Sequence, residues 1–145
     1  MNIDDRFPDL LGTDQNGSEV RLSSYPENFR FIVYFYPKDS TPGCTLEARS
    51  LSEAYKQFLD MGYQVIGVSA GDEKSHQRFI AKNDIPFPLV ADTGHQLCET
   101  AGVWQLKKLV SGKIKFLNIH CFQYHTLSFL SSFKLVRHIT TIVTT

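Results

Sequence analysis

The stretch YFYPKDSTPGCT, residues 34–45, decides how the rest of the chain is read. It follows Phe31-Ile-Val and completes a near-continuous apolar run, Phe31 to Tyr36, of the kind that forms a strand buried on both faces. Pro37 has no N–H to donate and ends the pairing. Thr41-Pro42-Gly43 then makes a tight turn that delivers Cys44 to the start of a helix. A thiol placed there faces unpaired backbone N–H groups and the positive end of the helix dipole, and both favour thiolate. Thiolate is the form that attacks disulfides, peroxides and metals. The ordinary alternative for Cys44 is a small buried hydrophobe, the common fate of an unpaired cysteine.

Outward from this stretch the pattern alternates. Leu46, Leu51, Ala54, Tyr55, Phe58 and Leu59 recur at helical spacing, and Gly62 closes the helix. Val65 to Ser69 is a second buried strand. Asp72 caps a helix through Asn83 that buries Phe79 and Ile80. Leu89-Val90 is a short edge, Asp92-Thr93-Gly94 a turn, and His95 to Ala101 a short helix ending at Gly102. Upstream, Leu10 to Leu22 is a hairpin around Asn16-Gly17, so the sequon at Asn16 is a turn and not a glycosylation site. Strand–helix–strand–helix–strand order implies right-handed crossovers and an α/β sheet with helices on both faces.

With 145 residues, the chain is long enough for one domain with a real core. Fifteen basic and fifteen acidic residues give zero formal net charge, which points to neither nucleic acid nor an anionic membrane. No apolar run has the length of a membrane span, and the acidic start, Met1-Asn-Ile-Asp-Asp-Arg6, shows no secretory h-region. Three cysteines at irregular spacing argue against a secreted disulfide framework. A cytoplasmic location is the expectation. No cofactor or metal is called for: Cys121 with His120 and His125 lacks a second cysteine or a carboxylate to complete a ligand set.

The spacing Pro37-x-x-x-Thr41-x-x-Cys44 resembles the active-site motif of the peroxiredoxins, thiol peroxidases on a thioredoxin-like fold, and its wording is similar to the bacterioferritin comigratory protein (BCP, or PrxQ) branch. A second segment, Leu89 to Trp104, is similar to the same branch, so the resemblance runs from about Phe7 through Trp104. It implies a thioredoxin-like sheet with flanking helices and an N-terminal β-hairpin. It implies that Cys44 is the peroxidatic cysteine, attacking hydrogen peroxide or an organic hydroperoxide and becoming a sulfenic acid, in antioxidant defence. Thr41 and Pro37 complete the catalytic motif, and the backbone N–H groups of Gly43 and Cys44 bind the peroxide. The implied partners are the peroxide and thioredoxin or another thiol reductant, and a monomer is expected.

Two departures bear on activity. The branch commonly has a resolving cysteine five residues after the peroxidatic one, and here that position is Arg49. Resolution then falls to an external thiol, in a one-cysteine cycle, or to Cys98, whose other reading is a packing thiol on the short helix. The second departure is the tail. The family's active-site Arg falls about fifteen residues after Trp104, where this chain has Ile119, His120 and Cys121; Arg137 stands in an unmatched context. Losing such a donor costs about 3 kcal/mol, roughly a hundredfold in rate. From Thr100 onward there is no acidic residue, no proline and, after Gly112, no glycine. The expected division is therefore a thioredoxin-like peroxiredoxin region over residues 1–104 and a divergent tail over 105–145, either a β-prone family end or a segment foreign to the fold. The alternative function is an inactive or poorly folded peroxiredoxin remnant that lacks the Arg. A thioredoxin-type oxidoreductase would need a C-x-x-C pair, which the chain does not contain. Lys38 and Asp39 are expected as solvated loop charges, with an electrostatic role left open by their place beside the pocket, and His76 and His95 show no partner pattern.

Overall fold

The computed structural model describes residues 8–101 and, as backbone, three further strands at 104–109, 112–117 and 120–125. In chain order the elements are β1 (Leu10–Thr13), β2 (Glu19–Arg21), a single 3-10 turn (Leu22–Ser24), β3 (Arg30–Phe35), α1 (Pro42–Asp60), β4 (Tyr63–Ser69), α2 (Glu73–Asn83), β5 (Leu89–Ala91), α3 (Gln96–Thr100), β6 (Trp104–Leu109), β7 (Gly112–Leu117) and β8 (His120–His125). The central sheet has the order β5-β4-β3-β8, parallel except for the antiparallel β3–β8 pair. β1 with β2, and β6 with β7, form separate antiparallel hairpins.

Alternation along β3 divides the interior. Phe31, Val33 and Phe35 enter one core with Ile66, Val68, Val90, Leu97 and Cys98, covered by the β1–β2 hairpin and α3. Ile32, Tyr34 and Tyr36 enter the other, with Val65, Leu89, α1 and the Phe79 face of α2. Residue-by-residue alternation of a strand is the cause, and each fully buried large side chain contributes roughly 1.5–3 kcal/mol. Both crossover helices lie on one face, as two successive right-handed connections moving in the same direction require. The expected cover on both faces is present, with the short α3 on the second.

Local signals explain the element ends. Gly17, at φ +76°, turns the β1–β2 hairpin beneath Asp14, whose carboxylate accepts from the N–H groups of Asn16 and Ser18. Pro42 opens α1 at its first position, where a missing N–H costs nothing. Gly62, at φ +80°, ends it. The Asp72 carboxylate caps α2 by accepting from the Ser75 N–H at 2.8 Å. No described helix is long and apolar enough to cross a membrane.

Gly67 on β4 lies opposite Tyr34 of β3 and Leu89 of β5. A Cβ there would come within 2.6 Å of Leu89 Cδ2 and 3.0 Å of the Tyr34 ring. Both neighbours are fully buried, so neither can swing away. Gly67→Ala is expected to lower stability by about 1–3 kcal/mol through overpacking, read as a reduced urea midpoint at unchanged slope.

Candidate functional site

The site forms where β3 runs out. Tyr36 still donates its N–H to the Val68 carbonyl at 3.1 Å, and Pro37 ends the ladder. The chain then turns through Ser40, which adopts φ +63° without being glycine, and reaches Thr41, the residue capping α1. Left-handed backbone at a side-chain-bearing residue is held by its surroundings. Cys44 is the third residue of α1, only 3% exposed, in the core layer that contains Tyr34, Tyr36, Ala48 and Leu51.

The sequence motif therefore comes together as one turn. Thr41 makes no side-chain cap to α1; its hydroxyl donates instead to the Lys38 carbonyl at 3.1 Å. The N–H groups of the first helical turn, those of Gly43 and Cys44 included, are left to face a ligand. Among the described residues a Cβ on Gly43 would meet nothing within 4 Å, which leaves room over that backbone. Pro37, Pro42 and Gly43 are exposed, and Cys44 between this turn and the core is buried.

Two residues expected in other surroundings are buried beside this turn. Asp39, expected as a solvated charge, is 7% exposed, and His76, expected to have no partner, is 0% exposed. The Asp39 carboxylate takes the Tyr36 hydroxyl on Oδ1 at 2.7 Å, and the Ser75 hydroxyl and His76 Nδ1 on Oδ2 at 2.7 and 2.6 Å. Burial pushes the Asp39 carboxyl up, but the hydrogen bonds from His76, Tyr36 and Ser75 outweigh it and hold the group below its ordinary value. Burial raises the Tyr36 phenol well above its usual range, with Tyr34, Asp39 and Cys44 adding to the effect. One signal for His76 was in the sequence: it lies three residues before Phe79, on the apolar stripe of α2, where a polar side chain needs a partner. Glu47, one turn beyond Cys44 on the same face of α1, is likewise buried.

The structure does not bring Cys98 to Cys44. Cys98 is 0% exposed in the core on the opposite side of the sheet, and both thiols are free. Its N–H and that of Leu97 donate to the Asp92 carboxylate at 2.9 and 3.1 Å, fixing the start of α3. Burial pushes the Cys98 thiol far up, and the Asp92 carboxylate pushes it further. Arg49 is exposed and donates Nε–H to Asn83 Oδ1 at 3.1 Å, joining α1 to the end of α2. The β3–β8 register sets His120 opposite Phe35 and Cys121 opposite Tyr34, at the sheet end from which the Cys44 loop leaves. Ile119 and Arg137 lie outside the described residues, as do the side chains of His120, Cys121 and His125. Among the described residues no group of three His, Cys, Asp or Glu side chains could hold a metal.

Comparison with known proteins agrees with this geometry. Residues 3–139 match the AhpC/TSA family. Peroxiredoxin Bcp of Bacillus subtilis is 39% identical over 108 residues, 74% of this chain and 68% of that protein. Peroxiredoxin Bcp of Escherichia coli is 36% identical over 130 residues, 90% of this chain and 78% of that protein. Among solved structures, a cysteine-to-serine mutant of Xylella fastidiosa PrxQ superposes with a TM-score of 0.80 at 28% identity, covering 99% of this chain and 94% of its own. Xanthomonas campestris peroxiredoxin Q gives 0.78 at 28% identity, covering 91% and 86%. With a buried cysteine at the head of α1 and a thioredoxin-like sheet behind it, this chain belongs to the AhpC/TSA family, in its Bcp/PrxQ peroxiredoxin branch.

Proposed function

We propose that the chain is a thiol peroxidase that reduces hydrogen peroxide and organic hydroperoxides through Cys44, with thioredoxin or another thiol as the reductant. The observation that carries this reading is the placement of Cys44 in the first turn of α1, with room over the Gly43 backbone among the described residues.

In the first step the Cys44 sulfur attacks the distal peroxide oxygen with an electron pair. The S–O bond forms, the O–O bond breaks, and the departing oxygen takes a proton to leave as water or alcohol. The N–H groups of Gly43 and Cys44 stabilise negative charge spreading along the breaking bond. Thr41 commits its hydrogen to the Lys38 carbonyl, so its oxygen lone pairs are left to accept from the peroxide O–H. Pro37 and Pro42 restrict the loop that frames the sulfur. Two reductant thiols then return the sulfenic acid to thiol, releasing water and a disulfide on the reductant.

The resolving step favours an external thiol. Arg49 fills the position of the local partner, and Cys98 is walled off by the sheet. On this reading residues 1–104 are the catalytic region and 105–145 a divergent tail that adds strand β8 to the sheet. The competing reading, an inactive remnant, draws on Arg49: this nearest Arg in sequence to Cys44 is engaged with Asn83 on the surface.

Intact mass spectrometry of the reduced protein after one equivalent of hydrogen peroxide, with and without a sulfenate trap, tests the proposal. The expected result is a rapid gain of one oxygen mapped to Cys44. Cys44→Ser should abolish turnover, and turnover retained in that variant would sink the mechanism. No reaction beyond free-cysteine controls would establish the remnant reading. Cys98→Ser should leave the first oxidation intact, and Cys98 itself should resist iodoacetamide at pH 8 until urea opens the fold. A two-hydrogen loss linking Cys44 to Cys98 would instead make Cys98 the resolver.

A further inference from the structure

We infer that His76 is a positioning residue for the peroxide reaction: paired with the Asp39 carboxylate, it locks the Cys44 loop in its reactive shape from inside the core. The inference rests on Cys44 being the peroxide-attacking thiol.

Among the described residues the loop between β3 and α1 has little else to hold it. Pro37, Lys38, Ser40, Pro42 and Gly43 are exposed and Thr41 is half-buried, so Asp39 alone among residues 37–43 is buried. The other ties are weaker: the Thr41 hydroxyl to Lys38 O at 3.1 Å within the loop, and the Ser69 hydroxyl to Pro37 O at 3.5 Å. Meanwhile Ser40 adopts φ +63° next to Asp39, a conformation that needs outside support. The support is the Asp39 carboxylate, inserted against the first turn of α2, where Ser75 and His76 donate to it.

His76 anchors the far side. Its Nδ1 meets Asp39 Oδ2 at 2.6 Å, and its Nε2 meets the Val90 carbonyl at 3.2 Å. Against an ionised Asp39 carboxylate both partners are acceptors, and the ring then satisfies both contacts with a hydrogen on each nitrogen. Such a ring pairs with an ionised carboxylate, in line with the depressed Asp39 value. The result ties the loop after β3, the start of α2 and the middle of β5 through one imidazole. Gly71 closes over the pair: a Cβ there would lie 3.1 Å from both Asp39 Oδ2 and His76 Cε1. Tyr36 completes the chain toward the sulfur, sharing a core layer with Cys44 while its hydroxyl donates to Asp39 Oδ1. Breaking a buried pair by removing one member leaves the other uncompensated, so the loop should shift and not merely loosen.

The test measures two rates at Cys44 in the full chain, oxidation by hydrogen peroxide and alkylation by iodoacetamide, for wild type, His76→Ala, Asp39→Asn and the double variant. Peroxide attack needs the helix-start N–H groups and sulfur in register, and small misplacements cost up to about a hundredfold. Alkylation needs only a reactive sulfur. The expected result is peroxide oxidation slowed about tenfold or more in each single variant, alkylation changed less than about threefold, and a double variant no slower than the worse single one. Nitrogen NMR of the ring should show hydrogens on both His76 nitrogens in wild type, a pattern altered by Asp39→Asn. Should His76→Ala fail to fold, the near-isosteric Asp39→Asn decides. Peroxide rates within about twofold of wild type in folded variants, equal slowing toward both reagents, or a ring with one bare nitrogen would each overturn the role. A wild-type Cys44 no faster than free cysteine would sink the peroxidase reading and this one with it. A fast wild type with fast variants would remove this one alone.

Discussion

Parallel register from Arg30 opposite Tyr63 to Phe35 opposite Val68 ties β3 to β4, and the site depends on that ladder. Parallel strands end on the same side of a sheet, so the connections leaving β3 and β4 emerge together. One carries Asp39 and Cys44; the other carries Gly71, Asp72 and the start of α2. Because β3 is buried on both faces, its position is fixed by two cores at once, and Tyr36 passes that rigidity to the loop. Slipping the ladder by one residue would exchange the Phe31 and Ile32 faces and move every part of the site.

Much of this was legible in the sequence, where the signal was local. Asn16-Gly17, Asp72 as a cap and Gly62 as a stop each act through their own few residues, and the structure has all three; α1 itself starts at Pro42, two residues before the expected start at Cys44. Cys44 was legible because its motif is contiguous. The Asp39–His76 contact spans 37 residues and joins two polar side chains that look ordinary in isolation. Only the place of His76 on an apolar stripe hinted at burial. The separation of Cys98 from Cys44 depends on which face α3 covers. No residue in Gln96 to Thr100 encodes that; it follows from the path of the chain after β5.

The tail separates two demands that a fold makes on a sequence. β3 needs a neighbour along its second edge, because the N–H and C=O groups of a buried strand must be paired. Any sufficiently β-prone segment meets that need, and His120 to His125 does so in antiparallel register. A guanidinium at a defined point of a site is a demand on one side chain, which pairing does not supply. A tail of altered composition can therefore complete the sheet without completing the chemistry, and an intact fold does not stand as proof of an intact site.

Arg49 at the position five residues beyond Cys44 bears on what happens between turnovers. Two residues so spaced on an intact α1 lie too far apart, and point too differently, for a disulfide, so local resolution requires the helix to unwind. Without a cysteine there, α1 has no cause to melt during the cycle. In the one-cysteine cycle proposed above, an oxidised Cys44 waits, its lifetime set by encounters with outside thiols and not by a motion of its own chain. Every further peroxide arriving in that interval meets a sulfur able to go on to the irreversible sulfinic state. On that cycle the protein's endurance under sustained oxidant is a property of its surroundings, rising and falling with the supply of reductant.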